Sequence, residues 1–177
     1  MTAILDSNWD IETSYEALQA EVTKFHICAL RNEFNKGEDD QPPTNHWVVC
    51  LETSPDSCIM LDMVPGYGED GLRGKIHVTA LPRQFTDETL RYFTYLPTSR
   101  ISVTAVLEST QTAGRQIYTF SPEWEGCRYW ISVVVDDLET AGHLESGASK
   151  HALDKLSLYW VNPEGQEPRE MNKGTFP

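Results

Sequence analysis

A cysteine that directly follows a glycine at the head of an apolar run is the residue in this chain best placed to do chemistry. Glu125-Gly126-Cys127-Arg128-Tyr129-Trp130 leads straight into Ile131-Ser132-Val133-Val134-Val135-Asp136-Asp137-Leu138. Ser121 and Pro122 precede the cysteine, so a loop feeds it into a helix that Gly142 closes. The first turn of a helix presents unpaired N–H groups and partial positive charge, which favour a thiolate over a thiol. Such a cysteine is a candidate nucleophile, and it needs a base.

The chain has five histidines. His26 falls in mid-strand beside Cys28, and both share one face; the pair could begin a metal site, but nothing nearby completes it. His143 and His151 lie in or beside the last two helices. His46 opens an apolar strand just after a polar loop, where catalytic side chains are commonly carried. His46 is therefore the expected general base. An imidazole that takes a thiol proton is oriented by a third polar group. Either His77 or Asp62, each on a neighbouring strand, could fill that role. Asp62 is notable because it interrupts the apolar run Cys58–Val64. Trp47, Tyr129 and Trp130 flank the two principal residues. They are core candidates by type, and they suit an apolar or acyl substrate if they line a cleft.

Composition narrows the function class. In 177 residues, 14 basic and 27 acidic side chains leave a net charge of −13, which argues against nucleic acid or an anionic membrane surface as partner. No apolar run approaches the roughly 20 residues that cross a bilayer, and the first residues lack a secretory pattern, so the expectation is cytoplasmic. Four cysteines form no Cys-x-x-Cys pair. Free thiols follow, with no metal or cofactor expected, a small-molecule or acyl substrate as partner, and the oligomeric state open.

The elements that must position these residues read in order along the chain. Residues 1–13 are expected to be a loose arm, 14–161 a single α+β domain, and 162–177 a fraying tail. Ser14 caps a helix from Tyr15 to about Val22. Strands follow over Lys24–Leu30, His46–Leu51, Cys58–Val64 and Gly74–Leu81, the middle two joined by the Thr53-Ser54-Pro55-Asp56 turn. Thr86 reads as the cap of a short helix over Asp87–Tyr95, and Ile101–Leu107 and Gln116–Phe120 as further strands. The cysteine helix and a last helix, His151 to about Trp160, complete an antiparallel sheet of five or six strands packed against helices. Pro65-Gly66-Tyr67-Gly68-Glu69-Asp70-Gly71 lacks the lysine of a phosphate-binding loop.

The pair Asn45-His46-Trp47-Val48-Val49-Cys50-Leu51-Glu52 and Glu125-Gly126-Cys127-Arg128-Tyr129-Trp130 resembles the circularly permuted papain-like fold of the NlpC/P60 superfamily. The likeness is to its lecithin:retinol acyltransferase and permuted desumoylase-like branches, where a histidine opens an early strand and a cysteine a later helix. The same pair is similar to a family of small, largely uncharacterised fungal proteins. The resemblance implies a thioester-forming enzyme, an acyltransferase or hydrolase of small-molecule biosynthesis, with Cys127 and His46 carried over. Two departures stand out: Asp62 occupies the strand where the acyltransferase branch has a second histidine, and Arg128 follows the cysteine where that branch often has Glu. They motivate the alternative expectation of a non-catalytic or differently catalytic small-molecule-binding module on the same fold.

Overall fold

A computed structural model describes residues 5–37, 41–161 and 165–177. The first four residues of the expected arm, part of the polar loop and the start of the expected tail lie outside them. The described chain is α+β, built on a six-stranded, mostly antiparallel sheet with four helices. In chain order these are β1 (Trp9–Glu12), α1 (Tyr15–Gln19), β2 (Lys24–Leu30), β3 (His46–Ser54), β4 (Ser57–Tyr67), β5 (Arg73–Leu81) and β6 (Thr89–Tyr95). There follow α2 (Val103–Thr112), α3 (Cys127–Thr140), α4 (Ala148–Leu156) and a hairpin of β7 (Leu158–Trp160) and β8 (Gln166–Pro168). The sheet order is β1-β5-β4-β3-β2-β6, with β1 parallel to β5 and the rest antiparallel. Among the described residues, no helix is long and apolar enough to cross a membrane.

The central strands carry buried apolar side chains on both faces. Phe25, Ile27, Trp47, Val49, Leu51, Leu61, Met63, Ile76 and Val78 join the main core with Val106, Leu107, Trp130, Val134 and Leu138 from α2 and α3. The alternate residues, Cys28, Leu30, Val48, Cys50 and Cys58, form a second cluster under Met60, Leu81 and Phe85. The period-two pattern of the strands sorts their side chains into these two sets.

Several expected elements change type. Thr89–Tyr95 is a strand rather than a helix: it pairs with β2, setting Phe93 opposite Ile27 and Tyr95 opposite Phe25. Its aromatic and threonine content suits a pleated edge better than a helix interior. Conversely, Val103–Thr112 is a helix rather than a strand. Ser102 caps it by accepting from the Ala105 N–H at 3.2 Å, and Val103, Val106, Leu107 and Thr110 form a buried stripe. That spacing of three, four and seven lets packing outweigh the β-branched content. Gln116–Phe120 is no regular strand; Thr119 makes isolated bridges to Arg73 and Thr175. The last helix ends at Leu156, and Leu158–Trp160 becomes β7. The N-terminal arm is not loose at Trp9–Glu12, which adds β1 to the sheet edge and ties the Trp9 indole to Gln111 at 2.9 Å. Nor does the described tail fray: Thr175 pairs with Thr119, and the Phe176 ring lies 4.9 Å from that of Tyr118.

Candidate active site

Cys127 is the first residue of α3, and Gly126 is the cap before it. The Trp130 N–H is the first to bond back within the helix, to Gly126 O at 2.9 Å. The N–H groups of Cys127, Arg128 and Tyr129 therefore point out of the helix end without intrahelical partners. Gly126 has φ 155°, and a Cβ built on it would lie 2.7 Å from Tyr118 Oη. Only glycine fits that turn. Tyr118 is buried, and its hydroxyl donates to Gly126 O at 2.9 Å while accepting from the Gly174 N–H at 3.0 Å. A buried phenol thus holds the nucleophile turn, and burial pushes its pKa up.

His46 is the first residue of β3. Its Nε2 hydrogen-bonds Asp62 Oδ1 at 2.7 Å, and the half-buried Cys127 thiol stands close enough to act on the ring. The carboxylate engages Nε2, which leaves Nδ1 as the second nitrogen of the ring. The register explains the first contact: Val49 stands opposite Leu61, so Asp62 and His46 lie diagonally across β3 and β4 on one face. Burial pushes the His46 pKa down. The hydrogen bond and charge of Asp62, with the Cys127 contact, outweigh burial and hold it well above its ordinary value. The side chains of His46 and Asp62 are 28% and 19% exposed, which leaves the pair reachable from outside.

His77, the other residue considered for orienting His46, does something else. It stands opposite Asp62 in the β4–β5 register, but its Nε2 meets Tyr67 Oη at 2.9 Å and lies 3.8 Å from the Asp10 carboxylate. Of the aromatic residues expected near the substrate, Trp47 and Trp130 are fully buried core side chains. The Trp130 indole donates to Arg115 O at 2.7 Å. Neither can face a substrate. Tyr129 is half-buried, with its ring 6.0 Å from that of Phe176 and Lys173 Nζ 5.3 Å above it.

Arg128, the departure beside the cysteine, is 4% exposed and structural. Its guanidinium donates to the carbonyls of Leu156, Arg169 and Glu170, and to Glu125 Oε2 at 3.4 Å. Glu125 in turn accepts from Asn35 at 3.3 Å and Asn172 at 3.1 Å. Together they tie the loop before Cys127 to the polar loop of residues 32–37 and to the C-terminal segment. Neither Tyr118 nor Glu125 was legible as part of this site. Tyr118 lies in an ordinary β-rich run, and Glu125 carries no signal beyond its place two residues before the cysteine.

A thiol, an imidazole and a carboxylate in series can form a nucleophile, hold its proton and orient the proton carrier. The outward N–H groups of α3 can accept charge that develops on an attacked oxygen. No curated protein and no solved structure matches the chain. The model of the family described as "Domain of unknown function (DUF7770)" matches residues 25–177, which take in all three of these side chains. The chain belongs to that family.

Proposed function

We propose that this protein is a cysteine-dependent acyl-transfer enzyme, or a hydrolase of amides or esters, on a permuted papain-like arrangement. The observation that carries the reading is the His46–Asp62 hydrogen bond, on a ring that the Cys127 thiol also acts on. Its element order supports the reading as well: the histidine opens an early strand and the cysteine a later helix.

In the first half-reaction the proton is already held on the His46 imidazolium, and the Cys127 thiolate beside it attacks the substrate carbonyl carbon. The carbonyl oxygen takes the electron pair against the N–H groups at the start of α3. Collapse of the adduct expels the leaving group, which collects the proton from His46, and a thioester remains on Cys127. In the second half-reaction His46 removes a proton from water, an alcohol or an amine as it attacks the thioester. The acyl group leaves, and the thiolate is restored beside the imidazolium. Asp62 fixes the Nε2–H tautomer and stabilises the imidazolium throughout.

The test is acylation by p-nitrophenyl acetate followed by peptide mapping. The acyl group is expected on Cys127, absent in Cys127→Ser, and formed about 10²-fold more slowly in His46→Ala, the usual size of a lost proton carrier. Absence of acylation at Cys127 in the wild type, or a rate indifferent to His46→Ala, overturns the proposal.

A further inference from the structure

The loop that delivers Cys127 carries a side chain the chemistry above leaves unused. Residues 121–125 close on themselves through two backbone bonds, Ser121 N–H to Glu125 O and Trp124 N–H to Ser121 O, both 2.9 Å. That closure holds Trp124 at φ 61°, the one positive value outside glycine among the described residues. The left-handed conformation costs a residue with a Cβ roughly 1–2 kcal/mol, so glycine, asparagine or aspartate ordinarily fills it. Here tryptophan fills it and leaves 54% of its surface exposed. The turn itself calls for neither cost, and residues held in such conformations concentrate at ligand sites.

The surroundings give the indole a direction. Its Cη2 would lie 2.9 Å from a Cβ at Gly71, so it rests across the turn between β4 and β5 at a residue with no side chain to obstruct it. At the next residue, the Asn35–Glu125 hydrogen bond brings the loop of residues 32–37 to the same turn. Phe34, beside Asn35, is fully exposed. Two exposed aromatic rings are thus each one residue from that contact, next to the nucleophile turn. The residues expected to meet substrate, Trp47 and Trp130, are sealed in the core, and these two take their place at the surface.

We infer that Trp124 and Phe34 form the recognition rim for the acyl part of the substrate, selecting a flat aromatic or extended apolar group over a short one. The inference rests on the thiol acyl-transfer reading above. Aromatic faces gain area and stacking from such groups, and the net charge of −13 disfavours an anionic acyl chain.

The experiment compares rates of Cys127 alkylation by iodoacetamide and N-benzyliodoacetamide, with glutathione as the free-thiol reference and peptide mapping to locate the label. The wild-type ratio of benzyl to plain rate is expected to exceed that of glutathione by roughly tenfold, the size of one aromatic stack. Trp124→Gly suits the left-handed turn, so it keeps the fold while removing the ring, and should return the ratio to the glutathione value. Phe34→Ser, on an exposed loop, should lower it by about threefold, a smaller share of the same stacking. A wild-type ratio equal to that of glutathione, or one unchanged in both variants, overturns the inference while His46-dependent alkylation keeps the parent reading standing. Alkylation that no longer depends on His46 overturns that parent reading, and the rim with it.

Discussion

Two hydrogen-bonded histidine–carboxylate pairs of the sheet differ in their surroundings, and their chemistry diverges. In one, His46 Nε2 meets Asp62 at 2.7 Å; in the other, His26 Nε2 meets Glu52 at 2.9 Å. His26 is 1% exposed, and its second nitrogen is taken by Thr94 Oγ1 at 2.9 Å. Burial drives its pKa below the ordinary value despite the hydrogen bond and charge of Glu52, with Lys24 adding to the fall. A neutral ring fits that network, donating through Nε2 to Glu52 and accepting at Nδ1 from the threonine hydroxyl. Glu52 also holds Lys24 at 2.9 Å and Gln84 at 2.6 Å. Its burial opposes ionisation, yet these bonds lower its pKa to about 2. His46 is partly open, and the Cys127 thiol acts on its ring. Glu52 divides its charge among several donors, whereas Asp62 Oδ1 meets the His46 ring. On the reading proposed above, the pair that also meets a thiol carries a proton, and the pair closed on both sides is structural.

Substitutions can break that contrast. The largest effect expected is on reactivity: His46→Ala should slow Cys127 alkylation by iodoacetamide about 10²-fold, whereas His26→Ala should leave the rate within twofold. Equal losses in the two variants would erase the distinction. Next in size is stability. Glu52→Gln weakens the hydrogen bonds to His26, Lys24 and Gln84, and should cost about 1–3 kcal/mol in urea unfolding. Asp62→Asn should cost about 1–2 kcal/mol, with its main effect on alkylation, a fall of roughly tenfold if orientation of the ring is what the carboxylate supplies. His77→Gln should change the alkylation rate less than twofold, since His77 turns to Tyr67.

The smallest effect is a difference in sign with pH. The folded pKa of His46 is raised, so its contribution is full below about 6.5 and fades as pH rises through the raised value. The stability gap between wild type and His46→Ala should therefore narrow from pH 6 to pH 9. The folded pKa of His26 is lowered, so the unfolded chain takes up its proton first as pH falls. The gap for His26→Ala should widen from pH 5 to pH 8. Parallel slopes for the two variants would contradict the assigned charge states.

The cysteines repeat the lesson. Cys28, Cys50 and Cys58 are buried between strands on one face. The hydrogen bond with Cys28, then burial, leaves the Cys50 thiol raised well above its ordinary pKa; the hydrogen bond with Cys50, then burial, does the same to Cys58. Their strand positions make this legible in sequence, because cysteine in an apolar strand behaves as a small hydrophobe. Cys127 and His46 were legible too, one from a glycine before an amphipathic run, the other from a loop running into a strand. Between Asp62 and His77 the sequence could not choose, since that depends on a diagonal across two strands and on Tyr67 engaging the other imidazole. Trp124 was missed because its distinction is a backbone angle set by loop closure. Thr89–Tyr95 and Val103–Thr112 were misassigned where sheet pairing and helix burial overrode local preference.

Tyr118 joins two distant stretches of backbone through a single oxygen. Gly174 donates to it and Gly126 accepts from it, and a Cβ at Gly174 would press within 2.5 Å of the phenol. The far end of the polypeptide is thus in mechanical series with the residue that precedes the sulfur. Any side chain added at position 174, or removal of the residues after 170, should register at Cys127 as a misaligned thiol, without touching the imidazole or the carboxylate.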